Sequence, residues 1–540
     1  MNWGKRTASL LLAAGIGVLS PVGSLPAWAQ ESTTPSPTPS PSQSDDRPSW
    51  APPPVSVQQP EDQIKPPYPY EQGNKCVSSN LSVNVDLPNK PWGQQYLQIE
   101  ELQKIVQANK KAQPGEGLKV AVIDTGVRPH PYFQDRVEGG GDYVIPDEKG
   151  LKDCDGHGTE VAGIIAANPK NTGIGFIGVA PYARIVSIRQ SSQNYRKKDQ
   201  TSSAASSSSE APGGGESKSE TPSNENSGDD TGGQSFHGDT QPNQKNTGRQ
   251  QEEEGSAGTL TSLAQAVVHA ANISGVRVMN LSVDNCRSSL LPMNPGEKLL
   301  QAAVKYAVEV KDVVVVAAAG NTSDSCKQND QPNPDKPTSI VSPPWFSDHV
   351  LSVGAIHKDG SVAPFSVFGP WVTVAAPGTE IISLDPAPES SGLANLTIEG
   401  GNEPSQIQGT SFAAPYVAGV ATLVRQMYPE LKARDVIKRI TETAQHPASP
   451  GGRDNFVGYG VINPMAALTS TLPSERGLKA PVPVRFPADL PPANDANWKP
   501  MVVALAGTGG GLVALLITLF VVHTVRRNRT ESPDPAKNLR

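Results

Sequence analysis

Apolar and polar positions alternate along this chain in blocks, and the period changes from block to block. Residues 118–123 are apolar except for Lys119, as expected of a strand buried on both faces. Residues 184–188, 276–281, 313–318, 350–356 and 372–375 read the same way. Between these runs the apolar residues recur at three and four, which predicts helices over 157–167, 260–271, 299–310, 411–427 and 433–443. Another helix is expected within 92–112, where Leu97, Ile99, Leu102, Ile105 and Val106 make one apolar face. Strands alternating with helices predict an α/β fold, a mainly parallel sheet with helices on both faces and right-handed crossovers.

The pattern fails in several places, and these divide the chain. Residues 1–29 have a charged start at Lys5 and Arg6, an apolar stretch over 10–19, and Ala27-Trp28-Ala29 ahead of Gln30, the plan of a secretory signal. Residues 30–65 are rich in Pro, Ser and Thr and read as a low-complexity arm. Residues 66–115 form an N-terminal extension, and 116–470 the main domain. Within it, 190–258 carries almost no apolar residue and has six basic against eleven acidic residues, so it is expected to be a disordered surface insertion. A Pro-rich linker covers 471–500. The apolar run 501–523 is long enough to span a bilayer once. Arg526, Arg527 and Arg529 follow in the tail 524–540, and basic residues after a span stay on the cytoplasmic side. The bulk of the chain is therefore expected outside the cytoplasm.

Composition narrows the function classes. Fifty-two prolines, 50 glycines and a mean hydropathy of -0.38 fit long irregular segments. A net charge of -7 argues against nucleic acid as a partner. Four cysteines, Cys76, Cys154, Cys286 and Cys326, lack the close spacing of a zinc site. In an exported chain they point to disulfides, with three pairings open. No loop reads as a metal site and no motif calls for a cofactor.

Three short motifs carry chemistry. Ala121-Val122-Ile123-Asp124-Thr125-Gly126 puts a carboxylate at the end of a buried strand. Asp153-Cys154-Asp155-Gly156-His157-Gly158-Thr159 puts an imidazole at the start of a helix. Gly409-Thr410-Ser411 puts a hydroxyl at the start of another, among small neighbours that let a substrate backbone come close. Strand C-termini and helix N-termini share one edge of a parallel sheet, so the three groups can meet there. A serine hydroxyl needs a base, histidine is one near neutral pH, and a buried carboxylate orients it. A fourth group, the amide of Asn321 after the strand 313–318, can donate to an oxyanion together with the Ser411 N–H. The order Asp, His, Ser is that of subtilisin.

These motifs resemble those of the subtilisin-like serine proteases over roughly residues 116–468. The resemblance implies a serine endopeptidase with Asp124, His157 and Ser411 as its triad and Asn321 as its oxyanion amide. It also implies a substrate pocket with Ala318 and Gly320 on one wall and Ser282 on the other. That second wall usually reads Ser-Leu-Gly, and here it reads Ser282-Val283-Asp284, without the glycine. Glu160 stands where the family often has a second histidine. The signal, the Cys-bearing extension, the insertion after Ile-Arg-Gln-Ser-Ser, the Pro-rich stalk and the single span are together similar to the mycosins, membrane-anchored subtilases of type VII secretion systems. That likeness implies exported proteins as substrates, placement on the periplasmic side, association with the secretion complex in the inner membrane, and an extension that wraps the protease domain. It leaves an alternative, a chiefly structural component of the complex with narrow or dispensable protease activity. In the implied fold the strands 276–281 and 313–318 are neighbours, which suggests a Cys286–Cys326 bond and leaves Cys76 for Cys154.

Overall fold

Seven parallel strands make the central sheet of this chain. A computed structural model describes residues 48–170, 173–198, 256–330, 336–398, 403–476 and 498–529. The expected signal at 1–29, the start of the arm to residue 47, the bulk of the insertion at 199–255, the linker over 477–497 and the tail from 530 lie outside the described residues. The strands are β1 (Lys119–Asp124), β2 (Val137–Asp142), β3 (Arg184–Arg189), β4 (Val276–Leu281), β5 (Val314–Ala318), β6 (Val350–Ile356) and β7 (Val374–Pro377). Their order in the sheet is β7-β6-β5-β4-β1-β3-β2. Every pair is parallel. The chain thus builds one side of β1 and then turns to the other, and the groove where such a sheet reverses is where ligands bind in this architecture.

The Val- and Ala-rich strands β5 and β6 are buried at every position, because helices cover the sheet. The helices are α1 (Ile99–Lys110), α2 (His157–Ala166), α3 (Leu260–Asn272), α4 (Pro295–Lys305), α5 (Thr410–Met427) and α6 (Ala433–Glu442). α5 packs on β4 to β7 and against α2, while α3 packs on α4. Both capped starts are written in the sequence: Thr259 and Ser262 form a capping box on α3, and Asn294 with Glu297 forms one on α4. The cap with Pro295 starts α4 ahead of the apolar run expected over 299–310, and the helix continues through a π turn over Tyr306–Val310.

Three regions differ from the pattern-based expectation. The helix expected within 92–112 is broken in two, Trp92–Tyr96 and α1, by Gln98 in the left-handed region at φ 54°. The edge strand β2, Val-Glu-Gly-Gly-Gly-Asp, has no apolar alternation to announce it, and its register shifts between Gly139 and Gly141. Ser192–Lys197, at the start of the expected insertion, is a strand that pairs antiparallel with Tyr70–Gln72 and with Ser256–Ala257. Its polar residues are ordered by partners: Asn194 donates to Cys154 O and Asp155 Oδ1, and its carbonyl accepts from Gly73 N.

The arm differs in the same way from residue 48 on. Trp345 Nε1 donates to Trp50 O at 2.7 Å, Gln301 Nε2 to Pro53 O at 2.8 Å, and Asp62 Oδ1 lies 2.6 Å from His269 Nδ1. A segment too polar to fold by itself is held by groups on the domain surface. The extension is fastened at three further points. Cys76 is bonded to Cys154, Val77 N donates to Cys154 O, and Ser78–Asn80 pairs with Leu396–Ile398. The second disulfide joins Cys286 to Cys326, with the Cα atoms 5.6 Å apart.

Residues 471–540 form a separate unit. Its helix α7 (Trp498–Arg529) contains a stretch, Met501–Arg527, long and apolar enough to cross a membrane, with a mean hydropathy of 2.2.

Candidate active site

Asp124 is the last residue of β1, and its carboxylate emerges fully buried at the carboxyl edge of the sheet. Oδ1 accepts from Thr125 N at 2.7 Å and from His157 Nδ1 at 2.8 Å. A carboxylate oxygen at Nδ1 makes that nitrogen the donor, so Nε2 is left as the basic face of the ring. Nε2 is buried and has no hydrogen-bond partner in the structure.

His157 opens α2, and the start of that helix is densely pinned. Asp153 Oδ2 accepts from Thr159 N at 2.8 Å and from Thr159 Oγ1 at 2.7 Å. Its Oδ1 accepts from Gly156 N at 2.8 Å and from Thr125 Oγ1 at 2.9 Å. Thr125 Oγ1 in turn accepts from Gly158 N at 3.0 Å. One carboxylate thus ties the turn after Asp124 to the helix that carries His157. Gly158 permits the closeness, since a Cβ there would lie 2.0 Å from Gly126 O.

Ser411 stands in the first turn of α5, buried beside the histidine, whose ring centroid lies 5.0 Å from that of Phe412. The helix starts from Gly409, with no side-chain cap. Its first N–H groups have no partner within the helix, so the Ser411 N–H is open to an anion. Four residues on, Pro415 lacks the N–H that would have bonded the Ser411 carbonyl. Ser282 Oγ replaces that donor at 2.8 Å, and is itself held by Asn280 Nδ2 at 2.8 Å. Ser411 Oγ is turned toward Ser282 O at 3.5 Å and makes no hydrogen bond to His157.

Asn321 follows β5 and is buried. Its Oδ1 accepts from Thr410 N at 3.0 Å and from Thr410 Oγ1 at 3.2 Å. Two donors on the oxygen orient the amide, and Nδ2 then faces the chain at Gly409, 3.6 Å from where a Cβ would be. Ala318 ends β5, and the Gly320 N–H donates to Thr410 Oγ1 at 3.2 Å. All of the residues singled out for catalysis and substrate binding therefore lie at one edge of the sheet, at the ends of β1 and β5, on the loops after β4 and β5 and in the first turns of α2 and α5.

Two functions were not legible in the residues. Asp153 is visible only as part of the histidine motif, because it lies three residues before the N-cap Gly156 and reaches the helix start across space. The link from Ser282 to the Ser411 carbonyl follows from Pro415 only once the two segments are known to touch. Among the described residues no group of three or more His, Cys, Asp or Glu side chains is placed to hold a metal ion.

Known proteins resemble this chain over most of its length. The subtilase family profile matches residues 115–460. Mycosin-1 of Mycolicibacterium smegmatis is 37% identical over 472 residues, 85% of this chain and 91% of that protein. Mycosin-1 of Mycobacterium tuberculosis is 39% identical over 78% of this chain and 83% of its own length. Among solved structures, MycP1 from the ESX-1 type VII secretion system superposes with a TM-score of 0.61 at 37% identity, covering 78% of this chain and 97% of that one. A chain of the intact ESX-5 inner membrane complex gives 0.62 at 35% identity, covering 87% and 98%.

Proposed function

The chain belongs to the subtilase family, as a mycosin and a serine endopeptidase, and from that premise we propose that Asp124, His157 and Ser411 form its catalytic triad, with Asn321 as the oxyanion amide. The observation that carries the assignment is the 2.8 Å bond from His157 Nδ1 to Asp124, which leaves a buried, unpartnered Nε2 beside the first turn of α5.

Rotation about the Ser411 Cα–Cβ bond takes Oγ from the Ser282 carbonyl toward Nε2. His157 removes the hydroxyl proton as Oγ attacks the peptide carbonyl. The charge that develops on the carbonyl oxygen is met by Asn321 Nδ2 and the Ser411 N–H. His157, stabilised as imidazolium by Asp124, returns the proton to the leaving amine, and water then releases the acyl group by the same path. The Thr410 bonds to Asn321 and the Ser282 bond to Ser411 hold donor and nucleophile in fixed relation, so little reorganisation is needed.

The substrates proposed are exported proteins, and the site of action is the extracytoplasmic face of the membrane that α7 spans. The partner proposed is a type VII secretion membrane complex. The likeness to a chain of the ESX-5 inner membrane complex supports it, and also supports a structural contribution beside proteolysis. The arrangement of 1–29 as signal, 30–65 as arm, 66–115 as extension, 116–470 as protease domain and 501–523 as anchor is part of the same proposal.

The test is labelling of the full-length protein with a fluorophosphonate. Labelling of the parent, and none of Ser411→Ala, is expected. An unlabelled parent overturns the triad. Export assayed in cells carrying Ser411→Ala then separates the roles: export that persists marks the structural contribution as sufficient, and export that stops marks proteolysis as required.

A further inference from the structure

We propose that Asp284 selects the residue on the acyl side of the bond to be cut, and that the residue it selects is cationic, lysine or arginine. The inference rests on the reading of Ser411 as nucleophile. β4 and β5 run side by side, with Leu281 opposite Ala317, and they end in two neighbouring segments, Ser282-Val283-Asp284 and Ala318-Ala319-Gly320. The first turn of α5 is bonded to both. Ser282 Oγ holds the Ser411 carbonyl, and Gly320 N holds Thr410 Oγ1. A substrate side chain that extends from a carbonyl at Ser411 Oγ toward the ends of β4 and β5 meets these two segments.

Asp284 is the acid that this side chain meets, and a cation arriving there favours its ionised form. A Cβ on Gly320 would lie 3.5 Å from Asp284 Oδ2, so the carboxyl faces the opposite segment at its one residue without a side chain. Gly320 has φ 103°, a conformation that keeps this position a glycine. The other neighbours there are apolar: Val341 Cγ1 would lie 2.9 Å from the same Cβ, and Val283, Ala318 and Ala319 are buried.

Asp284 is 3% exposed, Oδ1 is buried without a hydrogen-bond partner, and no ion pair reaches the residue among the described residues. Burial without a compensating charge pushes its pKa up to about 8. A buried polar group left unmatched destabilises a fold, so its presence points to a ligand that completes it. An apolar lining with one acid suits a long aliphatic stem that ends in an ammonium or guanidinium. A leucine or phenylalanine side chain would leave the acid unmatched.

The experiment uses the full-length protein in detergent and three peptidyl diphenyl phosphonates that differ only in the residue next to phosphorus: lysine, glutamine or leucine. Each forms an Ser411 Oγ–P bond and releases phenol, which takes the serine proton by way of His157. The lysine probe is expected to inactivate the parent at least about tenfold faster than either other probe, as a site built to bond a polar group rejects analogues that lack it. Asp284→Asn is expected to erase that preference, and Asp284→Gly to shift it to leucine. Leucine as fast as lysine, or an Asn variant with the ratio unchanged, overturns the proposal. Glutamine as fast as lysine overturns the demand for charge. Labelling by no probe overturns the triad with it, whereas equal labelling by all three overturns only the selection.

Discussion

The two helix starts that meet in the site are built on opposite plans. At α2, Asp153 and Thr125 take up the N–H groups of Gly156, Gly158 and Thr159, and Asp124 holds the imidazole itself. At α5, Gly409 offers no side-chain cap; the Thr410 N–H goes to Asn321 and the Phe412 N–H to the Gly409 carbonyl, while the Ser411 N–H between them is left open. In the proposed mechanism the base must be held in one orientation and one tautomer, which a helix start pinned from several sides provides. In the same mechanism the Ser411 N–H is offered to a transient anion, so it cannot be occupied in the resting state. Neither helix has a side-chain cap at its own N-cap glycine, Gly156 or Gly409; α2 takes acceptors for its first N–H groups from Asp153 and Thr125 instead, and α5 leaves the Ser411 N–H without one. Ser282 supports the α5 start from the carbonyl side, which the reaction leaves free.

Substitutions can break this contrast in order of size. Asp124→Asn keeps the shape but favours the wrong tautomer of His157, and is expected to lower kcat about 10,000-fold. A fluorogenic peptide assay checks it, and a loss below tenfold would falsify the orienting role. Asn321→Ala is expected to lower kcat about 100- to 1,000-fold, with KM little changed. Because Thr410 also loses its acceptor, a stability loss of about 1 kcal/mol should accompany it.

Asp153→Ala attacks the pinned helix. It leaves several buried donors unmatched, and is expected to cost about 3 kcal/mol of stability, read from the urea midpoint of unfolding. If the contrast is right, its stability loss exceeds that of Asn321→Ala. Ser282→Ala gives the smallest effect, about 1 kcal/mol from the unpaired Ser411 carbonyl. Replacing Pro415 by Ala in the same protein restores the intrahelical donor and should recover most of that loss; no recovery would sink the link between Pro415 and Ser282.

The strands of the sheet show how far pattern reading goes. β4, β5 and β6 are Val-, Leu- and Ala-rich runs flanked by helical periods, and their burial on both faces makes the signal local. β2 has three glycines and is a strand because β3 pairs with it, so nothing in its own residues announces it. Ser192–Lys197 and the segment from residue 48 look unstructured in composition, yet bind to groups contributed from elsewhere in the chain. In each case order comes from a partner distant in sequence, which no local window contains.

The residues alone determined the fold class, the chemistry on offer and its chain order. Strand burial, helix period and short motifs such as Gly156-His157-Gly158 are written into neighbouring positions, and hydrophobic patterning acts on neighbours. The tertiary structure decided what lies across space. It showed Asp153 joining two motifs, Ser282 standing in for the donor that Pro415 lacks, and Asp284 closing against Gly320 with its acid unmatched. Such relations depend on distances between segments more than a hundred residues apart for Ser282 and Ser411, and on whether a polar group has a partner once water is gone. Burial and pairing are properties of the folded neighbourhood, so they become readable only when that neighbourhood exists.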